Sequence, residues 1–182
     1  MINNLRYPPI KYNLKRIPEY LVYYSNKNKL YHDFVMSKTS KPYATCSMYC
    51  NVTRLYDKFN VFPSLLIYVI KSNPIQQGLG SKMLDVAKIF SNKKGCDGRF
   101  HLFATSLYLS EKVPHIFYRK YGMTTGDKKI DKKLDKFIKN GKSATDKDFS
   151  SMLMYYSPKK FKTEEVKLSF WQKIKKFFNI SK

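Results

Sequence analysis

The sequence predicts an α/β fold, and three stretches carry that expectation. VFPSLLIYVIK (61–71) is an apolar run of β-type composition. Beyond Pro74, Leu79, Met83, Leu84, Val86, Ala87, Ile89 and Phe90 recur at helical spacing, which predicts a helix covered on most sides by other elements. After the turn residues Gly95 and Gly98, RFHLFATS (99–106) reads as a buried strand. The chain has 182 residues, enough for one ordinary domain with a sizeable core, and no change of composition divides it. One domain is expected over residues 1–162, followed by a basic amphipathic helix over 163–182.

Around this unit the remaining elements follow in order. Residues 1–40 are rich in Tyr, Lys and Asn; within them IPEYLVYY (17–24) suits a helix opening at Pro18 or, by its Val and Tyr content, a strand. YATCSMYCNV (43–52) alternates loosely as a strand does, and YDKFN (56–60) supplies turn residues before the next strand. PHIFYRKYGM (114–123) has Pro114 placed to start a short helix and Gly122 to stop it. In GDKKIDKKLDKFIKN (126–140), Ile130, Leu134, Phe137 and Ile138 form one apolar stripe between Lys and Asp, an amphipathic helix with a solvated face. SSMLMYYSP (150–158) reads as a late strand. The tail begins with a capping pair, Ser169 and Gln172, and places Phe170, Trp171, Ile174, Phe177 and Phe178 on one side. That face suits docking on the chain's own domain or, with its flanking lysines, an anionic membrane.

The formal net charge is +22. Such a field attracts polyanions of every kind, and it fits either selection for such a partner or a compositional bias toward Lys. Arg, the better residue for bidentate phosphate or base recognition, occurs only at positions 6, 16, 54, 99 and 119. No run reaches the ~18 apolar residues of a membrane span, and the first residues lack the apolar stretch of a secretory signal, so a cytoplasmic protein is expected. Cys46, Cys50 and Cys96 are odd in number and lack a CxxC spacing, which predicts reduced structural thiols and no metal site.

The chemistry concentrates where the first strand meets the helix, in SNPIQQGLGSKML (72–84). A helix starting just after a glycine turn presents unpaired N–H groups and the positive end of its dipole to phosphate oxygens. Gly78 and Gly80 carry no side chain to block close approach. The alternative is a tight crossover in which the glycines only relieve crowding. Two phosphate motifs are excluded: there is no GxxxxGK[ST], and Met83 stands where GxGxxG requires its third glycine.

Taken with the strand at 99–106 and FYRKYGM at 117–123, QQGLGSKML (76–84) resembles the GNAT superfamily of acetyl-CoA-dependent N-acetyltransferases, over residues 64–123. The resemblance implies a mixed, mainly antiparallel sheet flanked by helices. It implies acetyl-CoA as acyl donor, with N–H groups from Gln76, Gln77, Gly78, Leu79, Gly80 and Ser81 holding the pyrophosphate. It further implies that Val69, Ile70 and Lys71 pair with the pantetheine arm as another strand would. Tyr118 matches the family tyrosine that protonates the leaving thiolate, the bland alternative being packing beside Phe117 and Tyr121. The chain departs from the pattern at Ile75, where the family has Arg or Gln, and at Met123, where it has Phe. The amine acceptor is open: small molecule, peptide or aminoacyl-tRNA. No general base is assigned; Glu111, His101 and His115 lie near in sequence, each with a structural role as the simpler reading. Cys46 and Cys96 show no adjacent base for nucleophilic chemistry. The helix at 126–140 suits shaping of the acceptor site or cover for a sheet edge. The rivals are a nucleic-acid-binding protein on the same fold, resting on charge alone, and a membrane-surface protein using the tail.

Overall fold

The computed structural model describes residues 19–25, 31–56, 61–75, 77–105, 113–145 and 147–158. Expectations for the turn at 57–60, for Gln76, for Glu111 and for the tail at 163–182 lie outside the described residues.

Six strands and three helices follow one another as β1 (Tyr20–Ser25), β2 (His32–Lys38), β3 (Lys41–Tyr56), β4 (Val61–Asn73), α1 (Leu79–Lys93), β5 (Phe100–Ala104), α2 (His115–Lys120), α3 (Lys128–Lys139) and β6 (Met152–Tyr156). The strands form one mixed sheet in sequence order, β1 to β6. Every neighbouring pair is antiparallel except β4 and β5, which run parallel. The exception has a covalent cause: α1 carries the chain back along the sheet before β5 begins, the connection a parallel pair requires.

The expected helix opening at Pro18 lies outside the described residues, but from Tyr20 onward the stretch IPEYLVYY is strand, since its β-branched and aromatic side chains gain more from a pleated surface than from a helix. β2 carries no expectation from the sequence, yet His32, Phe34 and Met36 alternate inward along it. Its period of two is masked by the polar His and Asp that open it. α3 starts at Lys128, two residues into the segment 126–140, because the Asp127 carboxylate accepts from the N–H groups of Lys129 (2.7 Å) and Ile130 (3.3 Å).

The core lies on one face of the sheet. Phe34, Met36, Cys46, Met48, Leu65, Ile67, Phe100, Leu102 and Met154 meet Leu79, Met83, Leu84, Ala87 and Phe90 of α1 there. The same face takes α2. Tyr121, at its end, donates to Asp85 of α1 at 2.8 Å and lies against Phe100 and Tyr156. α3 is held to α2 by Arg119, which grips both carboxylate oxygens of Asp135 (2.7 and 2.8 Å) and donates to the Met123 carbonyl (3.1 Å). Asp131 adds an ion pair to the same guanidinium and binds the Thr124 hydroxyl. Arg119→Ala is therefore expected to lower stability by about 1–2 kcal/mol, because it strands the Met123 carbonyl as well as two carboxylates. Chemical denaturation monitored by circular dichroism measures this; a change within error would make the grip a surface ornament.

Candidate functional site

The site is made by an irregularity in β4. Cys50 pairs with Ile67 and Tyr49 with Val69, so Tyr68 is an extra residue in the strand. A bulge of this kind shifts the side-chain phase by one. Leu65 and Ile67 point into the core before it, Tyr68 and Val69 are both exposed at it, and Ile70 and Ser72 turn toward the core face after it. The pairing with β5 ends at the same place. Only Leu65, Leu66 and Ile67 are matched, to Phe100, His101 and Leu102. From Tyr68 to Asn73, β4 is bonded to β3 alone, and no strand pairs its other edge, among the described residues. Val69, Ile70 and Lys71 lie on that open edge.

The opened edge leads to the start of α1. Gly78 is the N-cap, with a left-handed backbone (φ 73°), and no side chain caps the helix. The first intrahelical bond is made by Lys82 to the Gly78 carbonyl at 3.3 Å, which leaves the N–H groups of Leu79, Gly80 and Ser81 without helical partners. No acidic residue stands in the first turn to offset the dipole. Gln77 and Gly78 are exposed, whereas the Leu79 side chain is core, so Leu79 can serve only through its backbone.

The two glycines have different reasons. A Cβ at Gly78 would meet nothing within 4 Å, so its requirement is conformational and the space in front of it is free. A Cβ at Gly80 would lie 3.1 Å from the Phe117 ring and 3.6 Å from the Ser72 hydroxyl. The absence of a side chain at Gly80 thus admits the Phe117 ring of α2.

Phe117, the residue against Gly80, is followed on α2 by Tyr118. Tyr118 is buried, its ring 5.1 Å from that of Phe117. Burial pushes its phenol up to about 12, with the Cys46 thiol adding to the effect. Tyr118 therefore keeps its proton at neutral pH. Cys46 itself accepts from the Ser72 hydroxyl at 3.2 Å and is held above its usual range by burial. Cys50, at about 12, and Cys96 are raised in the same way, and all three thiols are free and buried. None has thiolate character to act as a nucleophile. The contact of Ser72 with this cluster had no signal in the sequence, because it depends on the phase change at Tyr68.

The histidines are structural. His101 shares a 2.8 Å hydrogen bond with Ser64, and burial lowers its pKa to about 4. His115 donates from Nε2 to the Ser150 carbonyl at 3.1 Å and stacks on Phe149; burial lowers its pKa too. Because His101 is neutral when folded and titrates near 6.5 when unfolded, its contribution is complete above that value and is lost as pH falls from 6.5 toward 4. The expected loss between pH 7 and pH 5 is about 2 kcal/mol. His101→Gln should flatten that part of the stability profile, measured by urea unfolding at each pH; an unchanged slope would assign the acid sensitivity elsewhere.

Among the described residues no group of three or more His, Cys, Asp or Glu is arranged to hold a metal ion, and no helix is long and apolar enough to cross a membrane. No family model matches the sequence, and no curated protein is similar to it at a significant level. Among solved structures, a chain of the KacTA-DNA complex is similar over 63% of this chain and 76% of that chain, at 12% identity and a TM-score of 0.40. Neither fold nor function is carried across at that level. What stands is an α/β protein whose mixed sheet opens between its two parallel strands, beside an uncapped helix.

Proposed function

We propose that this protein is an N-acetyltransferase that takes its acyl group from acetyl-CoA and passes it to an amine. The observation that carries the reading is the coincidence of three features that have separate causes. They are the β4 edge beyond Tyr68, which no described strand pairs, the N–H groups at the start of α1 that lack helical partners, and the protonated, buried Tyr118, coupled to the Cys46 thiol that Ser72 of β4 bonds. An extended amide-bearing chain ending in phosphates fits the first two. The β4 edge offers donors and acceptors of the kind a neighbouring strand would use, and Leu79, Gly80 and Ser81 offer N–H groups and dipole to the phosphates. Bound acetyl-CoA supplies an activated thioester. The chain's own residues then orient it along β4, and Tyr118 holds a proton at its phenolic oxygen for the departing sulfur. Calorimetric titration with acetyl-CoA at high salt, beside ADP, tests this, since salt suppresses diffuse attraction to a basic surface more than binding in a shaped cradle. Saturable binding stronger than that of ADP supports the reading, and equal or absent binding refutes it.

A second reading is favoured by α3. Lys128, Lys129, Lys132, Lys136 and Lys139 are exposed on it, while Asp127, Asp131 and Asp135 are engaged by the helix cap, by threonines and by Arg119. That leaves a row of positive charge suited to a phosphate backbone, and in this reading the protein binds nucleic acid. Binding to single-stranded RNA that falls steeply with salt, with acetyl-CoA inert, would favour it.

A further inference from the structure

The face of the sheet opposite α1 and α2 carries a cluster that the proposed chemistry does not use. Tyr31 stacks on Tyr49 with centroids 5.1 Å apart, and Tyr68 closes on both, at 6.0 Å from Tyr31 and 5.5 Å from Tyr49. Three strands contribute or border these rings, and the bulge turns Tyr68 outward beside Val69; these two are 46% and 51% exposed. Asp33 of β2 is paired in register with Tyr49 of β3, which in turn pairs with Val69 of β4, so the carboxylate shares a row of this face with the ring that Tyr31 and Tyr68 both touch.

Asp33 is unusual here. Seven other carboxylates fall among the described residues: Glu19, Asp85, Asp97, Asp127, Asp131, Asp135 and Asp148. Each has a hydrogen bond or an ion pair. Asp33, half-buried, has neither among them, on a protein with 35 Lys and Arg. Among the described residues, the nearest lysine of this face in register, Lys71, lies two strands away and one row along, roughly 10 Å or more by sheet spacing. A carboxylate without a partner among the described residues, beside a cluster of three electron-rich rings, matches one kind of ligand group. An ammonium is attracted by the ring faces and by the charge together, and an anion or a neutral group gains from neither. Tyr49 feels this arrangement: its phenol is raised by burial within the cluster and then by Tyr31, Asp33 and Tyr68.

We infer that Tyr31, Tyr49, Tyr68 and Asp33 form a binding site for an organic cation, a primary or quaternary ammonium carried by a small molecule. Tyr68 is the bulge residue that begins the open β4 edge, so a ligand seated there lies next to the proposed acyl-donor groove. Under the acetyltransferase reading, on which this last step rests, the site belongs to the acceptor. It admits an amine-bearing small cation despite the net charge of +22, because attraction at Asp33 is local and the repulsion of distant surface lysines is screened over ~10 Å.

Choline serves as the probe and 3,3-dimethylbutan-1-ol as its neutral isostere, each titrated into the full-length protein and followed by the NMR ring signals of Tyr31, Tyr49 and Tyr68. Choline is expected to give saturable shifts and the isostere none. Asp33→Asn should weaken choline about fivefold and Tyr68→Leu about threefold. Equal responses to choline and its isostere overturn the site, as do unchanged affinities in both variants. Should either variant fail to fold, the comparison of the two probes on the wild-type protein still decides. A parallel acetyl-CoA titration separates the two ideas. Choline binding without acetyl-CoA binding keeps the cation site and removes the acetyltransferase; acetyl-CoA binding without choline binding does the reverse.

Discussion

A Gly78→Glu protein is expected to bind acetyl-CoA at least about a hundredfold more weakly than the wild type, while its melting temperature falls by only a few degrees. The small thermal effect follows from the backbone. Gly78 sits at φ 73°, where a Cβ costs roughly 1–2 kcal/mol, but a side chain there meets no atom within 4 Å. The large binding effect follows from what lies ahead of it. A glutamate at the N-cap can itself accept from the free N–H groups of the first turn and answers the helix dipole, so it occupies the place and the charge that a phosphate would take. Gly78→Asn separates the two contributions, because Asn tolerates the left-handed region without adding charge and should retain most of the affinity. Calorimetry on the three proteins gives the answer. Equal affinity in Gly78→Glu would mean that the turn is only a crossover and that α1 starts without capping for reasons unconnected with a ligand.

Tyr118→Phe is expected to lower kcat by about a hundredfold to a thousandfold, with KM for acetyl-CoA within a few-fold of wild type. The substitution keeps the ring that packs beside Phe117 and removes only the hydroxyl, so folding should change little. The pH profile adds an independent reading. With the phenol raised to about 12, Tyr118 remains protonated as pH increases. Activity should therefore rise as the acceptor amine loses its proton, with no fall assignable to Tyr118 below about pH 10. A variant with wild-type kcat would leave Tyr118 as a packing residue and move the proton to solvent or to the acceptor.

The sequence made the strand, helix and strand from β4 to β5 legible because each has an uninterrupted pattern. β4 and β5 are apolar runs, and α1 repeats Leu79, Met83, Ala87 and Phe90 at helical spacing. Pro114 and Gly122 bounded α2 correctly, since one presets a helical φ and the other adopts φ 99° at the stop. β2 escaped because its inward residues include a histidine, which reads as polar although it is buried and bonded to Tyr24 at 2.8 Å. The candidate site was legible only as a local motif. Gly78, Gly80 and Tyr118 announce themselves by residue type, but Ser72, Cys46 and Asp33 do not, because their roles depend on which strand lies next to which.

Chemical types and local periodicity belong to the chain: an α/β order, a glycine turn before a helix, a positive charge too large to be neutral toward polyanions, and thiols with no partner at metal spacing. Each is a property of residues within a few positions of one another, where backbone preferences and side-chain period act directly. The opening of the sheet is of another kind. One extra residue at Tyr68 reverses the facing of everything after it, ends the match with β5, and brings Ser72 over Cys46 while turning Tyr68 toward Tyr49 and Tyr31. A bulge is a relation between two strands, defined by what the partner leaves unpaired, so no pattern in β4 alone could place it.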